Sequence, residues 1–354
     1  MNGRVDRRAA LRRVGLAGLA GTGLAGLGVL WERALTQHSF SDGATHAGFT
    51  EIRHQLGWTK GVQFAGQYVA ESRGFFKEER LDVRCIAGGP NTSFRSLVAS
   101  GQALVSESVP TGLIEGAING QPLVAFAAVL QRDPASLLSP ADRPVRSLRD
   151  LVGKTVGAPS NVSAQIAELM RTAGLDARSV RFVPVGTDAN MLAEGEVDAM
   201  YAWATTTLPS LLLRGFKTHV LNLMDIGAPS YGGVLFTRRE ELERDFDKFV
   251  RYTRALIRGW RIMVADPQGI AREIVQRWAP PGTSLDDQLL QAKTMVPYIT
   301  ANDGTRHGLL WIDPHVFEAN ARLMRAAGSI PKNARLDLSQ LVTQDVVRKA
   351  TATL

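Results

Sequence analysis

The sequence predicts a two-lobe α/β protein, each lobe a mostly parallel sheet flanked by helices, with a ligand cleft between the lobes. Three observations predict it. The chain has 354 residues, more than one hydrophobic core usually serves. Short apolar runs alternate with helix-period stretches at the spacing of parallel βαβ units. The alternation also runs twice, broken by the proline-bearing stretch Ser139-Pro140-Ala141-Asp142-Arg143-Pro144.

In the first round, Ile52 to Trp58 reads as a strand and Gly66 to Arg73 as a helix closed by Gly74. Leu81 to Ile86 alternates as the next strand. Gly88 to Ser93 is a turn into a helix that runs to Ser100, with Asn91 or Thr92 placed to cap it. Ala103 to Val105 is a short buried strand, Thr111 to Asn119 a helix stopped by Gly120, and Leu123 to Leu130 a fully apolar strand. The second round opens with a helical turn at Ser147 to Leu151 and a strand at Lys154 to Ala158. A helix from Ser160 to Gly174, a strand at Val180 to Val185, a helix at Ala189 to Glu194 and a strand at Val197 to Ala202 follow. Thr218 to Leu223 and Gly233 to Thr237 complete a second set of five strands. Residues 240–260 carry Leu242, Phe246, Phe249, Val250, Leu256 and Trp260 at helical spacing, a core-facing stripe, and helices follow near 267–279, 284–296 and 314–327. The lobes are accordingly expected at 51–145, 146–235 and 236–354, the last returning to the first lobe.

The formal charge of +7 invites a nucleic-acid or membrane-surface reading. Its location argues otherwise. Residues 1–34 hold six arginines against Asp6 and Glu32, a surplus of four, so the remainder keeps only about three. Behind Arg7-Arg8-Ala9-Ala10-Leu11-Arg12 lie 18 uncharged residues, Val14 to Trp31, diluted by six glycines. A basic start followed by a short, weakly apolar run is an export signal, and the paired arginines fit the twin-arginine route. An uncleaved membrane anchor is the alternative, since 18 residues reach the lower edge of a span. Residues 35–50 are polar and aperiodic, a tether. The literal G-x-G-x-x-G from Gly21 to Gly26 lies inside the leader after no strand and is dismissed as a dinucleotide site. One cysteine excludes a disulfide framework, a multi-cysteine metal centre and, since none follows the apolar run, a lipid anchor. The six histidines show no metal-ligand spacing, so no metal and no cofactor is expected. Cys85 sits in an alternating strand as a small apolar residue. Exported, two-lobed and without a catalytic motif, the chain reads as a hinge-closing solute receptor.

Leu56-Gly57-Trp58, Gly66-Gln67-Tyr68-Val69-Ala70 and Arg73-Gly74-Phe75-Phe76-Lys77-Glu78-Glu79-Arg80-Leu81-Asp82-Val83 resemble the opening of one group of ABC-transporter solute-binding proteins. That group takes nitrate, sulfonate, taurine and thiamine-pyrimidine precursors. Arg80 stands where the group usually has glycine. Leu97 to Gly101, Gly120 to Ala125, Leu148 to Gly157 and Gly195 to Ala199 continue the likeness, which spans about residues 52–330. It implies a periplasmic-binding-protein architecture of type II, a monomer in the periplasm, and an inner-membrane ABC permease with its ATPase as partners, with no nucleic acid. The pyrimidine-precursor receptors are the most similar branch, through Gly259-Trp260, Asp266-Pro267, Trp311 and the Ile330–Leu341 tail. The related pyrimidine synthases use a pocket histidine and a cysteine-rich iron-binding loop. Here Phe64 and Tyr231-Gly232-Gly233-Val234-Leu235 stand at those positions, so the resemblance implies a receptor and not an enzyme.

Ligands of open α/β sheets sit at the carboxyl ends of strands. Trp58 and Phe64 from the first loop, Tyr68 on the following helix, Tyr201 and Trp203 at a strand end and Tyr231 in the returning loop are the aromatic candidates. Their faces suit a planar pyrimidine-like or flavin-like ring. Asn91, Thr92, Ser108, Ser160, Asn161 and Ser163 are the polar candidates at helix starts, where amides stand free. Plain capping explains each of them equally well. Glu107, following a strand, would favour an amine or ring N–H and repel a sulfonate. A sulfonate- or nitrate-type anion receptor and a regulatory periplasmic subunit remain as rival readings.

Overall fold

The structure, a computed structural model, describes residues 48–186 and 189–354. The expected export signal (1–34) and most of the expected tether lie outside the described residues.

Among the described residues ten strands form two five-stranded sheets. β1 (Thr50–Gln55), β2 (Leu81–Ile86), β3 (Val105–Ser108) and β4 (Leu123–Leu130) begin the first. β5 (Ala135–Pro140), β6 (Thr155–Gly157), β7 (Arg181–Val183), β8 (Ala199–Trp203) and β9 (Thr218–Asn222) form the second, and β10 (Gly232–Arg238) returns to the first. The orders are β2-β1-β3-β10-β4 and β7-β6-β8-β5-β9. Both sheets repeat one pairing pattern, two parallel junctions followed by two antiparallel ones. Each sheet is therefore mixed, more so than the sequence suggested.

The crossings differ from expectation in a specific way. Ala135–Pro140, whose end overlaps the proline-bearing stretch that begins at Ser139, is a fully buried strand of the second sheet. β10, expected to finish the second set, lies between β3 and β4. The chain thus first crosses between Leu130 and Ala135, ahead of 145, and crosses back between Asn222 and Gly232, ahead of 235. The physical reason is that β5 satisfies its own polar content: Ser136 Oγ donates to the Pro134 carbonyl at 2.9 Å and Ser139 Oγ accepts the Val145 amide at 2.9 Å. Serines so paired cost little inside a sheet.

One face of the first sheet carries Ile52, His54, Val83, Cys85, Val105 and Glu107, in register across β1, β2 and β3. Helices Ala65–Ser72 and Phe246–Ala265 pack there, the second bringing Phe249, Tyr252, Leu256 and Trp260 into the core. Their crossing is close enough to need glycine on both sides. A Cβ at Gly66 would strike the Trp260 indole, and one at Gly259 would strike the Gly66 carbonyl oxygen. The segment expected to be one helix over 240–260 is two, Arg239–Arg244 and Phe246–Ala265, because Asp245 caps the second by accepting the Lys248 amide at 3.1 Å. Helices Pro267–Arg277, Leu285–Ile299 and Pro314–Ala326 fall where expected. Arg80 has φ +54°, a left-handed backbone that explains why glycine is usual at this place in the group's motif.

Candidate functional site

Each sheet has one point where a parallel junction meets an antiparallel one, and there a strand end lies beside the start of a crossing strand. In the first sheet this is β3 against β10, with Glu107 opposite Leu235 and Ser108 opposite Val234. In the second it is β8 against β5, with Trp203 opposite Ala135 and Tyr201 opposite Leu137. Such switch points are where open α/β sheets leave a crevice for ligand.

On the first lobe Trp58 stands in the loop after β1, 37% exposed, its carbonyl accepting the Gly88 amide at 2.9 Å. Beneath that loop Glu107 is buried but for 9%. Gln67 Nε2 donates to Glu107 Oε1 at 2.6 Å, and His54 Nε2 lies 3.6 Å from the same oxygen. The other ring nitrogen, His54 Nδ1, is 2.6 Å from the Tyr252 hydroxyl. Burial pushes the Glu107 carboxyl from 4.5 up to about 8, against the lowering effect of the Gln67 bond. Burial also holds His54 down at about 3, so its imidazole is neutral. Asn91 is exposed and Thr92 half-buried, beside Ser93, Ser96 and Gln102 in a shallow depression. Neither caps the helix Phe94–Ala99, whose N-cap is Ser93. Ser108 is half-buried on β3 itself.

On the second lobe the Trp203 indole donates to the Tyr201 hydroxyl, and burial raises the Tyr201 phenol. Trp203 also packs against the core of the first lobe. Ser160 and Asn161 are exposed in the first turn of helix Ser160–Thr172, with Ser163 half-buried behind them. Pro159 occupies the N-cap position, so the serine and asparagine are not caps and the first amides have no side-chain acceptor.

Between the lobes Asp133 is buried in the first crossing. Its Oδ1 accepts the Ala135 amide at 2.9 Å and its carboxylate accepts from the Ser230 hydroxyl, while burial lifts it to about 6. Tyr298, at the end of helix Leu285–Ile299, shares hydrogen bonds with Ser136 and Asn222 of the second sheet. That helix is anchored on the first lobe by Gln288 Oε1, which accepts the Val62 amide at 2.8 Å.

Three expected aromatic candidates fall elsewhere. Phe64 is core, 3% exposed. Tyr68 is fully buried and stacked on Trp278, ring centroids 5.1 Å apart. Tyr231 is buried in the second crossing, where its hydroxyl donates to Asp303 Oδ2 at 2.6 Å and accepts the Asp313 amide at 3.1 Å. It ties the crossing to the C-terminal helices. The sequence reading missed His54, Gln67 and Asp133. His54 had a signal, since it occupies an inward position of an alternating strand. Cys85 is buried as expected. Among the described residues no group of three or more His, Cys, Asp or Glu could hold a metal ion, and no helix is long and apolar enough to cross a membrane.

Comparison with known proteins agrees with this architecture. The chain is 29% identical over 221 residues to a formylaminopyrimidine-binding protein of Halalkalibacterium halodurans, covering 61% of this chain and 67% of that one. It is 24% identical over 312 residues to the riboflavin-binding protein RibY of Chloroflexus aurantiacus, covering 84% and 86%. The aliphatic sulphonate binding protein SsuA of Escherichia coli, a periplasmic protein, shares the fold with a TM-score of 0.60 at 15% identity, over 83% of this chain and 92% of that one. The family described as NMT1/THI5 like matches residues 62–270, more than half of the chain, and the chain belongs to that family.

Proposed function

We propose that this chain is the periplasmic solute receptor of an ABC importer. It captures a small planar organic solute of the pyrimidine or flavin kind by closure of its two lobes, and delivers it to an inner-membrane permease and its ATPase. The observation that carries the reading is the pairing of two switch points with complementary chemistry. Buried Glu107 stands at one and the Tyr201–Trp203 pair at the other, with Trp58 over the first. Aromatic faces hold a ring and a desolvated polar group orients it. The two curated relatives named above, both binders of heterocycles, support the same class.

A sulfonate ligand fits less well, since a buried acid beside an anion costs free energy on closure. Catalysis of the pyrimidine-synthase kind also fits less well. The one cysteine is buried in β2 and the neutral His54 is enclosed in the core. Closure, not bond making, is the mechanism, and the protein acts as a monomer. Export by the twin-arginine route follows from Arg7-Arg8, and replacing both by lysine is expected to leave the protein in the cytoplasm.

Thermal denaturation of the mature protein with pyrimidines, flavins, sulfonates and aromatic acids tests the reading. A ligand at a hundred times its Kd stabilises by about 2.7 kcal/mol, and a pyrimidine or flavin is expected to do so. Stabilisation by sulfonates alone would select the anion receptor, and turnover of a pyridoxal-like donor would revive the enzyme.

A further inference from the structure

One of the two oxygens of Glu107 is already committed inside the protein. Gln67 donates to Oε1 at 2.6 Å, and His54 Nε2 lies 3.6 Å from that same atom. The other ring nitrogen, Nδ1, is 2.6 Å from the Tyr252 hydroxyl, which holds the imidazole in place beside the carboxyl. Gln67 is therefore the donor that holds Oε1, with the His54 ring nearby but beyond hydrogen-bond reach. Oε2 lies on the side of Gly233, where a Cβ would stand 3.5 Å from it. Gly233 precedes Val234, the partner of Ser108, so Oε2 lies beside the switch point, next to a position that carries no side chain.

Among the described residues no Lys or Arg forms an ion pair with this carboxyl. The titratable groups that face it are His54 from β1, Cys85 from β2, Tyr68 from helix Ala65–Ser72 and Tyr252 from helix Phe246–Ala265. β10 and β4 contribute Gly233, Leu235 and Val129. Among the described residues its sole ion-pairing partner is His54, whose ring is neutral. A desolvated carboxylate without a cation takes up a proton.

We propose that Glu107 meets its ligand as a neutral carboxyl, Oε1 accepting from Gln67 while the hydroxyl on Oε2 donates to a ring nitrogen or carbonyl oxygen of an uncharged heterocycle. This rests on the receptor reading above and reverses the expectation that Glu107 selects an amine or ring N–H. Gln67 is then a positioning residue, which decides on which oxygen the hydrogen resides. Above pH 8 the carboxyl ionises, and its lone pairs oppose the acceptor on the ligand.

The test is titration calorimetry of the mature protein with an uncharged 4-aminopyrimidine and with riboflavin, from pH 7 to pH 9.5. For wild type, Kd is expected to be flat to about pH 8 and then to rise about tenfold per pH unit, as the competent fraction falls. Glu107→Gln keeps a donor in place and is expected to bind within about tenfold of wild type with no alkaline limb. Glu107→Ala is expected to lose about ten- to a hundredfold. Gln67→Leu removes a bond that favours the ionised form, so it should move the alkaline limb to higher pH. Affinity that rises with pH, or a Gln variant that loses as much as the Ala variant, would overturn the proposal by showing that Glu107 accepts. Tight binding indifferent to every change at Glu107 would overturn it while leaving the receptor reading intact. Failure of both probes to bind wild type at any pH would defeat the receptor reading for this ligand class, and this proposal with it.

Discussion

Glu107→Gln should stabilise the unliganded protein, and by an amount set by pH. In the unfolded chain the Glu107 carboxyl ionises near 4.5, whereas the folded protein holds its proton to about 8. Between those values the unfolded state has released a proton that the folded state keeps, so the native protein loses stability as pH rises. Each unit of displacement corresponds to about 1.4 kcal/mol. The full cost at pH 8 and above is therefore on the order of 4–5 kcal/mol, and it vanishes below pH 4.5. Glutamine fills the same space, does not titrate and carries no such cost. Urea denaturation of both proteins at pH 5, 6, 7, 8 and 9 measures the difference directly. The expected result is a stability gap in favour of the variant that widens by about 1.4 kcal/mol per pH unit and levels off above pH 8. A gap independent of pH, or one that narrows as pH rises, would refute the reasoning. It would mean that Glu107 is ionised in the native state, held by a protonated His54.

Three further outcomes are expected. Trp58→Ala should leave stability within about 0.5 kcal/mol, since the ring is exposed, yet weaken a planar ligand about tenfold through lost stacking; unchanged affinity in calorimetry would remove Trp58 from the cleft. Arg80→Gly should raise stability by about 0.5–1 kcal/mol, the left-handed penalty of 1–2 less the added freedom of the unfolded chain, read as a higher urea midpoint. Tyr298→Phe, which cuts the hydroxyl shared with Ser136 and Asn222, should cost about 1 kcal/mol and hasten ligand release in stopped-flow; an unchanged release rate would mean that this contact does not brace the closed lobes.

Most elements were legible in the sequence because their signals are local. Leu81–Ile86 alternates with period two and Leu123–Leu130 is a continuous apolar run, and both are strands with those same bounds. The partnership of strands was not legible. β5 carries only Leu137 and Leu138 as large apolar residues and ends in Pro140, so it resembles a linker until its serines find partners. β10 follows β9 in sequence and is separated from its sheet neighbours by the whole second lobe, a relation no periodicity encodes. The site divides the same way. Trp58, Glu107, Tyr201 and Trp203 could be named from their places at or near strand ends. The interior fate of Tyr68 depends on Trp278, and that of Tyr231 on Asp303 and Asp313, distant residues that a local reading does not weigh.

The insertion of one lobe within the other bears on how the chain is made. Leu130 lies directly opposite Gly232, and Ser136 opposite Asn222, so the second lobe enters and leaves through adjacent positions on both sides. β10, an interior strand of the first sheet, leaves the ribosome only after all of β5–β9. During synthesis the first lobe therefore waits with the edges of β3 and β4 unpaired, while the contiguous second lobe can already close. The same geometry makes the joint a ready hairpin. Replacing residues 131–231 by a two-residue turn would leave β4 and β10 in register, so the second lobe could be exchanged between relatives without disturbing the sheet that receives it.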